Sequence, residues 1–435
     1  MISPYIILGI LIIFLIILAL GVNIPTSIAI AATLFLPFIG RSFSFTIIAQ
    51  RILQTFDKQA LFAIFFFIAL GNILLESKMA DIIVDFVNSF LGRLYGGLAI
   101  INIVSSTIFG ALTGSVTSTI AAIGGITIPQ MAKRGYSKAF ATAVASASGI
   151  NGSMIPPSIN GLTYAIINNL SVAYVFLATL IPGMIYALFL SIAAIIISKK
   201  RGYRSIDETK FSLSRSMNRF LVALPAMIIP ISLLILIYGG IATPTESGAV
   251  ITVVAILLAV LGYKTLNFQA FRRGMINSCM TTGIIMFLIA SSFALSYAFS
   301  MSGITRTITN MFMNLSDKPN LLLFVIVMVL LALGTILEAQ PIIIIFSPIV
   351  NDILLPLGYD PIYVSGVYVF ACLIGLMIPP VAAGLTTACT VGNEKMEVIA
   401  KEQLPFLIIA ILTLLLITYI PDIVLFFPRL LGYAH

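Results

Sequence analysis

One motif occurs twice in this chain, first as Gly152-Ser-Met-Ile-Pro-Pro-Ser-Ile-Asn-Gly-Leu-Thr-Tyr-Ala165 and again 223 residues later as Gly375-Leu-Met-Ile-Pro-Pro-Val-Ala-Ala-Gly-Leu-Thr-Thr-Ala388. Nine of the fourteen positions are identical, and each copy lies in a long run without charged residues. Proline removes a backbone donor and clashes with the preceding turn, so a double proline should unwind an apolar helix. The repeat therefore predicts two broken helices in corresponding halves of the chain.

The composition around the motif is that of a membrane protein. Of 435 residues, 60% are hydrophobic and 9% are charged, whereas about a quarter are charged in an ordinary soluble domain. A spanning helix needs about 20 mostly apolar residues. Several charge-free runs are long enough for one or two such helices, namely 94–132, 139–198, 220–245, 274–305 and 361–393. We therefore expect an all-α integral membrane protein with about ten to twelve spans, some of them broken.

A second paired feature precedes each copy of the motif. Phe109-Gly-Ala-Leu-Thr-Gly-Ser115 interrupts the first apolar run, and Gly334-Thr-Ile-Leu-Glu-Ala-Gln-Pro341 interrupts its counterpart. Such interruptions suit re-entrant hairpins whose tips lie at membrane depth, and irregular backbone there is tolerated where it lines a cavity or holds ions. Ordinary kinks, with Gly110 and Gly114 forming a close helix interface, are the alternative.

The repeat divides the chain at a basic loop. We assign residues 1–198 to the first repeat, with hairpin 1 at about 94–132 and a broken helix at about 139–168. Residues 199–219 form a linker rich in lysine and arginine, which the positive-inside rule places in the cytoplasm. Residues 220–435 form the second repeat, with hairpin 2 at about 320–356 and a broken helix at about 361–392. At the start of the chain, residues 6–20 are expected to be a retained first helix rather than a signal peptide.

Glu338 stands out because it occupies the tip of predicted hairpin 2, and ionisable groups at membrane depth are costly and usually functional. It could coordinate Na⁺, take a proton, orient a polar substrate, or cap a half-helix. No lysine or arginine lies in either tip or either Pro-Pro motif, so an anion would depend on helix N-termini, amides and hydroxyls. The side chains predicted to line a substrate site are Thr113, Ser158, Asn160, Glu338, Gln340 and Thr386.

Other chemistry is poorly represented. The one histidine is His435, which removes the usual general base from the interior, and no Gly-x-x-x-x-Gly-Lys-Ser/Thr phosphate loop is present. The basic residues flank apolar segments and form no stripe for nucleic acid. We expect no enzymatic activity, no structural metal and no organic cofactor, and we expect transport to be driven by an ion gradient.

The ordered motifs closely resemble those of the large membrane (M, DctM-like) subunit of tripartite ATP-independent periplasmic (TRAP) transporters. In the first half the motifs are Thr113-Gly-Ser115, Ala121-Ala-Ile-Gly-Gly-Ile-Thr-Ile-Pro129, Met131-Ala-Lys-Arg-Gly-Tyr136 and Ile155-Pro-Pro-Ser158. In the second half they are Thr243-Pro-Thr-Glu246, Glu338, Ser347-Pro348, Gly358-Tyr-Asp-Pro361 and the second Pro-Pro motif.

The resemblance implies an elevator-type secondary transporter of inverted repeats in the bacterial inner membrane, driven by co-transported Na⁺. Its implied partners are a small four-helix membrane subunit (Q) and a soluble periplasmic substrate-binding protein (P). The implied substrate is sialic acid, a C4-dicarboxylate or another small organic acid. Two other functions stay open, namely a stand-alone ion-coupled carboxylate transporter and a membrane scaffold or enzyme that does not transport.

The resemblance also implies two cation sites built mostly from backbone carbonyls. Predicted sodium site 1 comprises Ser115, Gly152, Ile155 and Pro157, and the repeat gives predicted sodium site 2 as Gly334, Gly375, Ile378 and Val381. Many relatives carry an arginine about 37 residues before the acid of hairpin 2, where a substrate carboxylate could pair. Counting back from Glu338 reaches Met301, so no arginine partner is assigned in this chain.

Overall fold

The computed structural model describes residues 13, 16–17, 20–35, 45–203, 213–302, 319–380 and 382–433. Within these ranges the chain is helical and contains no β-strand. Most of the predicted first helix, linker residues 204–212 and Val381 lie outside the described residues. Helices are numbered in chain order.

The first half contains ten helices in its described part. They are α1 (Ile24–Phe35), α2 (Phe45–Phe56), α3 (Phe62–Glu76), α4 (Met79–Leu91), α5 (Gly97–Thr113), α6 (Val116–Thr119), α7 (Gly125–Lys133), α8 (Lys138–Met154), α9 (Ile159–Ile167) and α10 (Val172–Lys200). A 3₁₀ turn at Gln59–Leu61 leads into α3, and a π-helical turn at Ile120–Gly124 joins α6 to α7. The segment predicted as hairpin 1 thus consists of α5 and the α6–α7 arm.

The second half contains nine helices in its described part. Its described helices are α11 (Leu213–Tyr238), α12 (Pro244–Leu257), α13 (Phe268–Ser302), α14 (Pro319–Gly334), α15 (Ala339–Leu354), α16 (Pro361–Gly375), α17 (Ala383–Gly392), α18 (Met396–Tyr419) and α19 (Pro421–Leu430). A π-helical turn at Leu258–Gly262 extends α12, and α14 and α15 are the arms of the segment predicted as hairpin 2. The inverted relation between the halves stays a prediction.

Seven described helices are long and apolar enough to cross a membrane. They are Gln59–Glu76, Val172–Lys200, Ser216–Tyr238, Pro244–Gly262, Phe268–Leu295, Ala339–Leu357 and Met396–Tyr419. Four shorter apolar helices accompany them, and three of these belong to the predicted hairpins and broken helices. The predicted all-α integral membrane class is confirmed.

Both Pro-Pro motifs interrupt helices. Helix α8 ends at Met154, Ile155 is extended, and α9 begins at Ile159, where the Ser158 hydroxyl accepts a hydrogen bond from the Gly161 amide at 3.2 Å. In the second half α16 ends at Gly375 and α17 begins at Ala383. The peptide bonds Pro156–Pro157 and Pro379–Pro380 are both cis. Each interruption leaves two short helices, α8–α9 and α16–α17, in place of one long span.

Paired glycines hold each hairpin arm against a broken helix. A Cβ atom at Gly110 of α5 would lie 1.8 Å from Gly152 Cα, and one at Gly334 of α14 would lie 2.6 Å from Gly375 Cα. The close interface considered as an alternative for Gly110 is therefore present, alongside the break rather than instead of it. Because the backbones touch, each predicted tip is held beside its Pro-Pro motif.

Buried polar side chains line the α5–α8 contact in the first half. The Ser148 hydroxyl donates to Asn102 Oδ1 at 2.6 Å, and Asn102 in turn donates to Thr127. The Asn151 amide donates to the Thr107 hydroxyl at 2.5 Å. The positions 223 residues beyond Asn102, Ser106, Ser148 and Asn151 are the apolar residues Val325, Val329, Ala371 and Ile374. The first half therefore has polar side chains at this contact where the second half has apolar residues.

Candidate functional site

A cavity of about 230 Å³ lies where the two predicted hairpin tips meet the two helix breaks. Residues 113–118 of the first tip and Glu338, Ala339 and Gln340 of the second form part of its wall. The rest comes from Ile159 and Asn160 of α9, Leu376 and Ala383 beside the second break, Ile68, Gly71 and Asn72 of α3, and Thr281 and Ile285 of α13. Elements distant in sequence are thus brought to one small volume.

The first tip is a tight turn that presents backbone carbonyls. Helix α5 ends at Thr113 and is followed by Gly114, whose φ of +62° lies in the left-handed region that suits glycine. Ser115 is the N-cap of α6: its hydroxyl accepts from the Ser118 amide at 3.4 Å. The Gly114 carbonyl accepts from the Ile159 amide at 3.4 Å and from the Ser153 hydroxyl at 2.9 Å. This tip is therefore joined to both sides of the first helix break.

The residues of predicted sodium site 1 lie around this turn. The Pro157 carbonyl oxygen is 3.0 Å from the position that a Cβ of Gly114 would occupy, and Ser115 is the next residue of the turn. Gly152 contacts Gly110 one helical turn before the tip. Ile155 is the extended residue that caps α8. The four residues belong to one region, and their role as cation ligands stays a prediction.

The second tip is built from backbone contacts. Gly334 packs on Gly375, and the Thr335 carbonyl accepts from the Ala382 amide at 3.4 Å. The Ile378 amide donates to the Gly375 carbonyl at 3.0 Å. Three residues of predicted sodium site 2, Gly334, Gly375 and Ile378, therefore lie at one junction, and the fourth, Val381, is outside the described residues.

Glu338 is the one charged side chain among the described residues that line the cavity. It occupies the N-cap position of α15, with φ −69° and ψ 160°, but its side chain makes no capping hydrogen bond. None of the ion pairs within the described residues includes it. The capping role is therefore not realised here, and the carboxylate is available to a cation, a proton or a substrate.

Four of the six predicted substrate-lining residues reach the cavity, namely Thr113, Asn160, Glu338 and Gln340. Ser158 is buried beside it, where its hydroxyl donates to the Ser153 carbonyl at 2.5 Å. The Thr386 hydroxyl donates to the Ala383 carbonyl of its own helix at 3.1 Å. Both hydroxyls thus stabilise helix starts in this conformation, and a direct role in binding stays a prediction. The side chain of Met301 lies outside the described part of the chain.

Residues from α3 and α13 complete the wall and were missed by sequence reasoning. Asn72 donates to the Ser278 hydroxyl at 2.9 Å, and a Cβ at Gly71 would lie 2.9 Å from the Thr113 carbonyl oxygen. Helix α3 therefore packs directly on the first tip. The sequence feature that could have predicted this part of the wall is Asn72, a polar residue in the apolar run that precedes Glu76.

Three hydrogen bonds connect the second tip to the first across the cavity wall. The Gln340 amide donates to Asn160 Oδ1 at 2.8 Å, and the Asn160 amide donates to the Ser153 hydroxyl at 2.8 Å. The Ser153 hydroxyl donates to the Gly114 carbonyl at 2.9 Å. We call this series the Gln340–Gly114 relay.

The fold resembles that of a known membrane transporter. The solved structure of the YdaH transporter of Alcanivorax borkumensis aligns with a TM-score of 0.62 over 94% of this chain and 100% of that chain. The two sequences are 16% identical, so this likeness concerns the fold alone.

Three relatives are similar over nearly the whole chain. Protein YgiK of Salmonella typhimurium is 33% identical over 96% of both chains. The isethionate TRAP transporter permease protein DctMQ of Oleidesulfovibrio alaskensis is 31% identical over 95% of this chain and 65% of its own length. The C4-dicarboxylate TRAP transporter large permease protein DctM of Pseudomonas aeruginosa is 31% identical over 88% of this chain and 90% of its own.

A family model decides the membership. Residues 11–423 match the family described as the tripartite ATP-independent periplasmic transporter, DctM component. The match confirms the resemblance drawn from the motifs and, with the seven candidate spans, the multi-pass placement in the bacterial inner membrane. The chain belongs to the DctM family, the large permease subunits of TRAP transporters.

Proposed function

We propose that this chain imports a small organic acid, such as sialic acid, a C4-dicarboxylate or a related carboxylate, by coupling it to Na⁺. One observation carries the proposal: both hairpin tips and both helix breaks border the same cavity. In transporters, discontinuous helices of repeated halves supply carbonyls to cations and N-termini to anionic groups. This chain has both kinds of group at one place.

The helix starts around the cavity favour an anionic substrate. Ser115, Ile159, Ala339 and Ala383 line the cavity, and each stands at or next to the first residue of a helix or helical arm. A helix N-terminus carries a partial positive charge of about half an elementary charge together with unpaired amides. Relatives are named for isethionate and for C4-dicarboxylate, which are both organic anions. Amides and hydroxyls can therefore hold a carboxylate without an arginine in the described wall.

Glu338 gives a reason for coupling the anion to a cation. A carboxylate in the same cavity repels an anionic substrate, and opposite unit charges about 5 Å apart attract by about 3 kcal/mol at an effective dielectric constant of about 20. A sodium ion held near the tip carbonyls would offset this repulsion. Because coupling free energies are reciprocal, the substrate would raise the affinity for Na⁺ by the same factor.

The partners follow from the family. TRAP large permeases work with a small membrane subunit and a periplasmic binding protein, and the DctMQ relative has a name that joins the M and Q components. We propose that this chain receives its substrate from such a binding protein and is held by a Q subunit. The two hairpins and two broken helices would then move as one transport domain past the remaining helices.

Reconstituted vesicles test the proposal. The complex, with its membrane and periplasmic partners, should accumulate organic acid when an inward Na⁺ gradient is imposed, and K⁺ should not replace Na⁺. Uptake that is indifferent to the Na⁺ gradient would refute the coupling. Uptake by the chain without any partner would favour the stand-alone carboxylate transporter.

The same assay separates transport from a scaffold or enzyme role. Replacing Pro156 and Pro157 together by alanine should restore helical backbone at the first break and abolish uptake, since the carbonyls would be returned to intrahelical bonds. A protein that folds, inserts and keeps its activity after this change would contradict a function based on the break.

A further inference from the structure

The Gln340–Gly114 relay has a single direction. Its three donors are the Gln340 amide, the Asn160 amide and the Ser153 hydroxyl, and each donates towards the first tip. The last acceptor is the Gly114 carbonyl, which belongs to the residue immediately before Ser115. The relay therefore runs from a side chain of the second half, through two side chains of the first half, to the peptide group that joins Gly114 to Ser115 of predicted sodium site 1.

The relay is confined to one of the two tips. Positions 223 residues after Ser153 and Asn160 are Leu376 and Ala383, which cannot donate or accept a side-chain hydrogen bond. The described part of the second tip is joined to its break by backbone contacts, such as the Ala382 amide to the Thr335 carbonyl at 3.4 Å. The repeat alone does not require the relay, which is specific to the first half.

Gln340 connects the relay to the cavity. It is a lining residue, its amide is bound to Asn160, and its Oε1 is shielded from solvent with no hydrogen-bond partner among the described residues. The side chain therefore cannot turn its amide towards a ligand without releasing Asn160. A ligand that displaced Gln340 in the cavity would therefore alter the hydrogen bonding of Asn160 and Ser153, and through them the position of the Gly114 carbonyl.

We propose that Gln340, Asn160 and Ser153 are positioning residues that set the geometry of predicted sodium site 1 from the opposite tip, and so couple that ion to the occupant of the cavity. The inference rests on the proposed Na⁺ coupling and deepens it. Members of one hydrogen-bonded network are energetically coupled, and removing any donor leaves the next group unpaired.

A sodium titration tests the relay without knowledge of the substrate. The full chain, extracted with any subunit that co-purifies, is melted at increasing NaCl with choline chloride keeping the ionic strength constant. The variants are Gln340→Met, which keeps the length but removes the donor, Ser153→Ala, and both together. The control is Thr163→Ala, which deletes a buried hydroxyl from the same helix as Asn160, where among the described residues it bonds to the Ile159 carbonyl alone, at 2.8 Å.

The wild type should be stabilised by Na⁺, with a half-maximal concentration that rises about three- to tenfold in each relay variant, as expected for one lost hydrogen bond. The double variant should have the same half-maximal Na⁺ concentration as Ser153→Ala, because both changes interrupt the same series of hydrogen bonds. The control should match the wild type. Relay variants that titrate like the control overturn this inference alone, whereas a wild type that ignores Na⁺ overturns the proposed coupling as well.

Discussion

Replacing Gly110 by alanine should separate hairpin 1 from the broken helix. The new Cβ would lie 1.8 Å from Gly152 Cα, whereas carbon atoms in contact are about 3.5 to 4.0 Å apart. One backbone must therefore move by about 2 Å, because neither contact atom belongs to a side chain that could rotate away. No smaller residue at position 152 could compensate, since that residue is already glycine.

The expected cost follows from overpacking. Extra methylenes in packed cores cost about 1 to 3 kcal/mol, and a contact between two backbones should reach or exceed the upper end of that range. The corresponding change at Gly334 meets Gly375 Cα at 2.6 Å, so it needs about 1 Å of movement and should cost less. Gly125 is exposed with nothing within 4 Å of its Cβ position, and Gly125→Ala should gain up to about 1 kcal/mol from helix propensity.

Thermal melting of the detergent-solubilised protein and Na⁺-driven uptake in vesicles measure this series. Stability and uptake should fall in the order Gly125→Ala, Gly334→Ala, Gly110→Ala, with the last folding poorly or transporting nothing. The reasoning would be refuted if Gly110→Ala melted and transported like Gly125→Ala, because the tip would then not depend on close contact with the break.

Three further substitutions test the charge of Glu338, the buried polar contact between α5 and α8, and an ion pair near the surface. Glu338→Gln should lower Na⁺-driven uptake at least about tenfold at matched expression, as expected if the removed charge contributes more than about 1.4 kcal/mol to cation binding; unchanged Na⁺ dependence would exclude that role. Ser148→Ala leaves Asn102 Oδ1 unpaired in the core and should lower the free energy of unfolding by about 1 to 3 kcal/mol, measured by melting. Glu402→Gln breaks the part-exposed ion pair with Arg201, whose atoms are 2.8 Å apart, and should cost less than about 1 kcal/mol, an effect that high salt removes; a larger, salt-resistant loss would show that the pair is structural.

The repeat allowed the helix interruptions to be located from the sequence because proline acts locally. The double prolines at 156–157 and 379–380 limit the backbone of their own and neighbouring residues whatever surrounds them. Helix α8 ends at Met154, two residues before its double proline, and α16 ends at Gly375, four residues before its own. The apolar runs gave the membrane class for the same reason, since length and hydropathy are properties of single segments.

The surroundings of the side chains at the site were harder to predict from the sequence. Ser158 and Thr386 were predicted to line the cavity, but their hydroxyls bond to backbone carbonyls in this conformation. Asn72 lines it although it lies outside both repeat motifs. These outcomes depend on which helix faces which, and that choice is made by contacts between residues far apart in sequence. The Gly110–Gly152 contact is of the same kind.

The polar contact between α5 and α8 affects how the protein is inserted into its membrane. Asn102 in the short helix α5 accepts a hydrogen bond from Ser148, which the ribosome adds 46 residues later. Until then Asn102 Oδ1 would be an unpaired polar atom in hydrocarbon, which is costly. We therefore expect α5 to remain near the translocon or the interface until α8 has been synthesised, whereas the wholly apolar middle of α14 can partition into lipid at once.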